Sequence, residues 1–247
     1  VDFKYRENYT EEYLIGKQDV NSISLPWYEE AEGWFDTRFA MGQTRSKTIE
    51  HPFLYLGGDA PNATFRATSA SASLAAGFVN HHLQVGYGSP FQQVVDSIYY
   101  GYQFNDFSWQ VPVNELAGNS TVVTHRSIDD LNVAADWHAV GWIEISYPRI
   151  ANFTGQQTAF KAVNLFAQTE GKLEITSQLT NPRLFEEANG LLREFDVTVQ
   201  GENFQSIVSF LTTPNITNLV LVDANDFTEV TNLQPVTTTG YFENYAA

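Results

Sequence analysis

The chain of 247 residues contains no cysteine. Disulfides, thiolate nucleophiles and cysteine metal ligands are therefore excluded, although a chain without cysteine suits the cytosol and secretion equally. Basic residues are also few: 13 Lys and Arg stand against 29 Asp and Glu, which gives a formal net charge of -16. Because a surface of this sign repels phosphate groups, we expect no nucleic-acid partner.

Long apolar runs, helical periodicity and catalytic motifs are scarce or missing as well. No apolar run in the sequence approaches the roughly 20 residues that cross a bilayer, so we expect no membrane-spanning segment. The sequence has no Gly-x-Ser-x-Gly elbow, phosphate-binding loop, dinucleotide fingerprint or His-Glu-x-x-His motif. We therefore expect that this chain is not itself an enzyme and has no catalytic residues.

Instead, alternation of apolar and polar residues with period 2 dominates the chain. Small residues alternate over residues 63–74, alternation puts His81, Leu83, Val85 and Tyr87 on one face of a strand, and Pro112 indicates an edge strand. Such strands, separated by Gly, Pro and Asn, predict an all-β fold. We predict a jelly-roll or galactose-binding-like β-sandwich over residues 1–150 and a smaller β-sandwich over 151–247. Residues 181–195 fit either a short helix or a hairpin.

The stretch DWHAVGWIEISYPRI, residues 136–150, combines a strand pattern with two tryptophans and a histidine. Alternation places Ile143, Ile145 and Tyr147 in the core, and Pro148 ends the strand. The two tryptophans and the histidine of this stretch then lie on the surface, where aromatic rings can stack on a sugar. The sequence-based candidates for a binding surface are Trp34, Trp137, His138 and Trp142.

Metal ligands are harder to find in the sequence. His81 and His82 are adjacent, so on a strand they point to opposite faces and form a poor chelate. Acidic residues in the loop over 128–136 are weak candidates for a structural calcium ion, without the spacing of an EF-hand: Asp129, Asp130 and Asp136. Apart from such a calcium ion we expect no cofactor.

The order of several segments is similar to that of a known family. EGWFDTRFAMG, FLYLGGDAPNATFRATSASAS, HHLQVGYGS, FSWQVPVNELAGNSTVV and DWHAVGWIEISYPR follow one another here. In this order they resemble the region before the catalytic domain of gingipain-like C25 cysteine peptidases. The resemblance is greatest to the sortase-type members of the Bacteroidetes type IX secretion system. The Tyr147-Pro148-Arg149 ending is the most specific of these features.

The resemblance implies a non-catalytic part of a peptidase. The family's activity needs a cysteine and a histidine in a downstream α/β domain, and this chain has no cysteine. The chain is then expected to be an accessory N-terminal region outside the cytoplasm: in the periplasm, on the outer-membrane surface or secreted. It would support or regulate an adjoining peptidase domain, or dock secretion-system proteins.

Two further readings stay open at this point. An inhibitory pro-domain would place a basic residue, such as Arg149 or Arg193, on an exposed loop that enters the specificity pocket of the peptidase. Alternatively, the chain is a carbohydrate-binding β-sandwich at the cell surface, with a glycan as its partner, because jelly rolls often bind sugars. Exposed tryptophans favour the second reading, and buried ones favour a scaffold.

Overall fold

The computed structural model describes residues 2–16, 30–58, 60–75, 78–154, 158–162, 171–188, 190–202, 205–212 and 217–228. In these ranges the regular structure is β-strand, apart from two short 3-10 helices at Val113–Glu115 and Ala224–Asp226. The predicted all-β sandwich class is confirmed. Within the same ranges, no helix has both the length and the apolar character needed to span a membrane.

The described part of the chain contains nineteen strands, most of them antiparallel to their neighbours. They are β1 (Asp2–Asn8), β2 (Glu12–Ile15), β3 (Glu32–Phe35), β4 (Phe39–Ala40), β5 (Thr44–Glu50), β6 (Ala63–Ser71), β7 (His81–Tyr87), β8 (Gln92–Tyr99), β9 (Phe104–Val111), β10 (Ser120–Ser127), β11 (Trp137–Pro148), β12 (Asn152–Phe153), β13 (Thr158–Ala162), β14 (Gly171–Ser177), β15 (Pro182–Ala188), β16 (Leu191–Glu194), β17 (Thr198–Glu202), β18 (Gln205–Thr212) and β19 (Thr217–Asp223).

Two of the sheets form the sandwich that carries the site described below. The larger has nine strands in the order β16-β15-β19-β13-β1-β11-β6-β9, with β4 paired to β11, and the smaller has the order β5-β10-β7-β8. Leu83 and Val85 from the smaller sheet share one buried cluster with Phe65, Ile143 and Ile145 from the larger. This shared cluster shows that the apolar faces of the two sheets are packed together, as in other β-sandwiches.

Strand β11 is the centre of the larger sheet. It pairs with β1 on one side and with β6 on the other. The side chains of Ile143, Ile145 and Tyr147 are fully buried, as the alternation predicted. Because β11 has neighbours on both sides, its backbone is held in place along its length.

A bulge near Gly141 changes which residues of β11 face the core. The pairing of β11 with β6 shifts register between Val140 and Ile143. A Cβ at Gly141 would lie 2.6 Å from Oγ1 of Thr68, so only glycine fits without a shift of that side chain. A bulge adds one residue and reverses the alternation. Val140 therefore lies in the same core as Ile143, and His138, two residues before Val140, is also fully buried.

Other local predictions can be checked directly. The segment after residue 181 is a hairpin of β15 and β16, with Gly190 at φ 76° in the turn, and not a helix. Strand β9 lies at the end of the described sheet order, and Pro112 follows it directly, as predicted for an edge. Leu83, Val85 and Tyr87, which the alternation puts on one face of β7, all belong to the main buried cluster.

The nine-stranded sheet continues past the predicted domain boundary near Ile150. Asp2 on β1 is paired with Pro148 on one side and with Lys161 on the other. The main buried cluster likewise includes Phe153 and Ile175. The division at Ile150 stays a prediction, and backbone pairing and core packing both cross it.

Candidate functional site

A cluster of two histidines and one aspartate lies at one end of the sandwich. His81 is the first residue of β7, Asp136 immediately precedes β11, and His138 is the second residue of β11. All three side chains are fully buried. Because β7 and β11 belong to different sheets, the cluster joins the two layers of the sandwich.

Three side-chain atoms of the cluster lie close together. His81 Nδ1 lies 2.6 Å from Asp136 Oδ1, and His138 Nε2 lies 2.7 Å from the same oxygen. A hydrogen on His138 Nε2 would not point at Oδ1, so this second contact lacks the geometry of a hydrogen bond although the two atoms are close. The arrangement therefore differs from a simple chain of hydrogen bonds.

The remaining polar atoms of the cluster all have partners on the outside. His81 Nε2 lies 3.0 Å from the Ser73 carbonyl oxygen, and His138 Nδ1 lies 3.2 Å from the Tyr99 hydroxyl. Asp136 Oδ2 accepts hydrogen bonds from the backbone N–H of His82 at 3.0 Å and from the Ser127 hydroxyl at 3.1 Å. These contacts fix the orientation of each of the three side chains.

Aromatic rings enclose the cluster. The Tyr99 ring stacks on the His81 imidazole with centroids 5.0 Å apart, and the Phe39 ring lies 5.7 Å from that of His138. Burial, followed by the charge of Asp136, raises the pKa of Tyr99, so its hydroxyl stays protonated. The surroundings therefore exclude solvent while leaving hydroxyl and imidazole groups in contact with the carboxylate.

Burial and hydrogen bonding act in opposite directions on the titrating groups. Burial alone would raise the pKa of Asp136, but its contacts with His138 and His81 outweigh burial and hold that pKa well below the usual range. Burial lowers the pKa of His138, and the contact with Asp136 offsets part of this effect. Asp136 is therefore a carboxylate, which favours a cation beside it.

Two more histidines lie near the cluster. Burial lowers the pKa of His125 to about 3, with smaller contributions from His138 and Lys47, and neither ring nitrogen of His125 has a hydrogen-bond partner. His82 is bound by Asp130 at 2.8 Å and by Asp96 at 2.6 Å. Burial would lower the pKa of His82, but these two hydrogen bonds outweigh it and raise the pKa.

This arrangement can hold a metal ion. Among the residues that the structure describes, it is the one group of three or more His, Cys, Asp or Glu side chains whose ligand atoms all lie within 4.8 Å of one another. Two imidazole nitrogens and a carboxylate oxygen form a donor set that suits zinc and similar ions. A site with fully buried ligands is suited to a structural role, because it offers no open path to a substrate.

The tryptophans predicted as binding candidates lie in three different environments. Trp34 is 59% exposed and contacts Tyr13 edge to face, whereas Trp137 is 38% exposed, with the Arg38 guanidinium 5.5 Å above its ring. Two guanidinium groups lie by the Trp142 ring, those of Arg6 at 4.0 Å and Arg66 at 5.4 Å from its centroid. Trp34 and Trp137 therefore present ring surface to solvent, whereas Trp142 is engaged by arginine.

His138 was predicted on the surface together with these tryptophans, and the structure corrects this position. Its side chain is fully buried against Asp136, because the bulge at Gly141 turns the start of β11 by one residue. Arg149 is also buried and not on an exposed loop: its guanidinium lies over the rings of Phe3 and Phe153. It cannot reach the pocket of another protein from this position.

The calcium candidates do not form a common site among the described residues. Asp136 faces inward to His81 and His138, whereas Asp130 is half-exposed and binds His82. Asp129 is exposed. The loop that carries the three carboxylates therefore directs them to different places.

His81 is the residue that the sequence reasoning missed. The adjacent residues His81 and His82 do not chelate an ion together, as the sequence predicted. The partner of His81 is Asp136, which lies 55 positions further along the chain. A local signal did exist in Asp136-x-His138, since alternate residues of a strand share a face. The glycine within β11 was a second signal, since glycine in a strand often marks a bulge.

No protein-family model matches the chain, and no curated protein matches it. Its fold is similar to that of PorU. The structure of dimeric latent PorU from Porphyromonas gingivalis matches with a TM-score of 0.57 at 9% sequence identity, over 91% of this chain. This match covers 20% of the PorU chain, so our chain spans about one fifth of the length of PorU. At this identity the likeness shows the fold alone.

Proposed function

We propose that this chain is a non-catalytic accessory region of a C25-type peptidase. The observation that carries the proposal is the match to PorU, which extends over 91% of this chain but only 20% of PorU. A chain that corresponds to a fifth of a longer protein has a suitable size for a region that supports or regulates an adjoining catalytic domain. The order of sequence segments, which resembles the region before the catalytic domain of this family, supports the same assignment.

The side chains of the described residues support a role without catalysis. The chain has no cysteine to act as the family's nucleophile. The histidines closest to a carboxylate, His81 and His138, are fully buried and point into the sandwich. An imidazole can act as a base only within hydrogen-bond reach of its substrate. These residues therefore stabilise the fold in the proposed function, and the exposed surface makes the contacts.

The proposal places the chain outside the cytoplasm, as the resemblance of its sequence segments to the secreted family implies, and the fold likeness to PorU supports it. Its partners are then an adjoining peptidase domain or other proteins of the secretion system. The excess of acidic residues, 29 against 13 basic ones, favours a partner surface rich in lysine and arginine. Such complementarity accelerates association and makes it sensitive to salt.

The test is a reconstitution with a C25-type peptidase domain from the same organism. Peptide hydrolysis is measured as the purified 247-residue chain is titrated to saturation, and complex formation is followed by calorimetry. We expect a complex that weakens at high salt, together with a change in kcat/KM. A decrease would support an inhibitory role and an increase a supporting role.

Chain unfolded by heat is the matched control, since it has the same composition and charge. Absence of a complex at low salt, with hydrolysis unchanged at saturating chain, would contradict the proposal. A complex that forms equally with unfolded chain would also contradict it, because the contact would then not depend on the β-sandwich surface.

Carbohydrate binding is the second candidate, and exposed aromatic residues favour it. The Trp34 and Tyr13 rings are 59% and 45% exposed and lie 5.4 Å apart. A cleft of about 180 Å³ is lined by Arg38, Ser71 and Tyr102, among others, and the same Arg38 lies over the Trp137 ring. Exposed rings beside a polar cleft are typical of sugar-binding surfaces.

A glycan array and two substitutions distinguish this candidate from the first. We expect Trp34→Ala or Trp137→Ala to abolish any glycan signal, while Trp142→Ala, which changes a ring engaged by two arginines, leaves the signal in place. An array with no signal for the unmodified chain would remove this candidate. That result leaves the peptidase reconstitution unaffected.

A further inference from the structure

The His81, Asp136 and His138 cluster has two features that hydrogen bonds between neutral imidazoles and a carboxylate do not explain. His138 Nε2 is buried, lies 2.7 Å from Asp136 Oδ1 and has no hydrogen-bond partner. Both ring nitrogens of His81 face oxygen atoms that accept hydrogen bonds, Asp136 Oδ1 at 2.6 Å and the Ser73 carbonyl at 3.0 Å. A neutral imidazole has only one N–H and can satisfy only one of these two oxygens.

A cation between the three inward atoms removes both difficulties. His81 would donate its one N–H from Nε2 to the Ser73 carbonyl and present the Nδ1 lone pair to the ion. His138 would present the lone pair of Nε2, while its Nδ1–H donates to the Tyr99 hydroxyl at 3.2 Å. Each histidine then has one nitrogen on the ion and one on a second partner, which is the usual arrangement around bound metals.

Asp136 completes the same pattern. Its Oδ1 faces the two imidazole nitrogens, and its Oδ2 accepts hydrogen bonds from the His82 backbone N–H and the Ser127 hydroxyl. One oxygen is thus left for an ion and the other is held by the protein. Every outer atom of the three side chains has a partner, and only the three inner atoms face one another.

We propose that His81, Asp136 and His138 bind a divalent transition-metal ion of the zinc type, which links the two sheets of the sandwich at this end. Two nitrogens and one oxygen favour zinc, cobalt or nickel over calcium and magnesium, which take oxygen ligands. Ligand atoms around a tetrahedral zinc ion lie about 3.3 Å apart, so the contacts to Asp136 Oδ1 open by about 0.6 Å on binding.

The position of the ligands gives the ion its role. His81 begins β7 in the four-stranded sheet, while Asp136 and His138 stand at the start of β11 in the nine-stranded sheet. Metal bonds therefore connect two strands that have no backbone pairing with each other among the described elements. In a chain without cysteine, an ion supplies the kind of cross-link that a disulfide would otherwise provide.

The experiment uses the full 247-residue chain, stripped with a chelator and then dialysed against zinc chloride. We expect about one equivalent of tightly retained Zn²⁺ by elemental analysis and a thermal midpoint raised by about 5 °C or more over the stripped chain. Asp136→Asn and His138→Gln are expected to lose both the retained zinc and the shift in midpoint.

His51→Gln is the matched control. His51 is also a fully buried histidine, but its Nε2 is hydrogen-bonded to the Thr121 hydroxyl at 2.7 Å, and it packs beside Tyr147 at the other end of β11. This variant should retain zinc like the unmodified chain. Retention of equal zinc by Asp136→Asn would overturn the proposal, since the ion would then be held by surface carboxylates.

A measurement on the unmodified chain keeps the test valid if the substituted chains do not fold. Cobalt(II) is added to the stripped chain, and its visible absorption is recorded. We expect the intense bands of a four-coordinate site, in which a water molecule would be the fourth ligand beside the three side chains, and these bands disappear when zinc is added. Weak absorption like that of hydrated cobalt, together with no retained zinc, would overturn the proposal. Neither result depends on whether the chain acts on a peptidase.

Discussion

At the scale of single residues, the interior of this protein is unusual for its buried histidines. Four of the five histidines are fully buried, namely His51, His81, His125 and His138, and His82 is 6% exposed. Histidine is normally intermediate in burial, and buried polar atoms normally have partners. Each of these imidazole rings therefore either forms a defined hydrogen bond, is a proposed metal ligand or lowers the stability of the fold.

His125 carries such a cost, and it makes the protein sensitive to acid. Its folded-state pKa is about 3, whereas its ordinary value is 6.5, so between these pH values the unfolded chain binds a proton that the folded chain does not. Above pH 6.5 the protonation of His125 does not affect the free energy of unfolding, and this free energy decreases as pH falls from 6.5 toward about 3. We expect His125→Leu to reduce the slope of unfolding free energy against pH by about 1.4 kcal/mol per pH unit in this range.

Urea unfolding at a series of pH values measures this slope. The buffers contain a chelator, so that metal binding adds no pH dependence of its own. Groups such as Asp136 titrate in both proteins and cancel in the comparison. Identical slopes for the native chain and His125→Leu would show that His125 titrates normally in the folded state.

At the scale of elements, β11 positions most of the features described above. It contributes the core residues Ile143 and Ile145, the cluster residue His138 and the exposed ring of Trp137. The bulge at Gly141 allows one strand to do this, because it reverses the alternation between the two halves of β11. Without the bulge, His138 and Ile143 would point to opposite faces of the sheet.

Gly141→Ala tests the importance of the bulge. The added Cβ would meet Thr68 Oγ1 at 2.6 Å and two atoms of the Phe35 ring at 3.4 Å. We expect a loss of about 2 kcal/mol in unfolding free energy, because crowding in a packed core forces neighbouring atoms to move.

Gly58→Ala is the control for this comparison, since a Cβ at Gly58 meets no atom within 4 Å. Its effect should stay within about 0.5 kcal/mol, as for most surface changes. Chemical denaturation of the two variants side by side provides the measurement. Equal stability of Gly141→Ala and Gly58→Ala would mean that the bulge tolerates a side chain.

At the scale of the whole molecule, the nine-stranded sheet continues across the predicted domain boundary at Ile150. Strand β1 pairs with β11 before this position and with β13 after it, and the main buried cluster has members on both sides. Shared backbone pairing and a shared core couple the stability of two segments. We therefore expect residues on the two sides of Ile150 to unfold together.

Calorimetry checks this expectation. A single transition, with equal calorimetric and van't Hoff enthalpies, is the expected result. All five tryptophans precede Ile150, so tryptophan fluorescence reports on the part of the chain before the predicted boundary. Its midpoint should equal that of the far-ultraviolet signal of all strands. Two separate transitions would instead support independent domains with a boundary near Ile150.

Residues 181–195 fitted both a short helix and a hairpin, and the structure has the hairpin of β15 and β16. Local patterns along the sequence were enough to predict the fold class, the buried residues in the second half of β11 and the edge position of β9. These features depend on neighbours close along the chain, so a local pattern predicts them. The meeting of His81 with Asp136 and His138 was decided only by tertiary structure. It depends on which strands of two sheets face each other across 55 positions, and on a bulge that reverses the alternation just after His138. Alternation with period 2 predicts neither which sheets pack together nor which way a side chain points beyond a bulge.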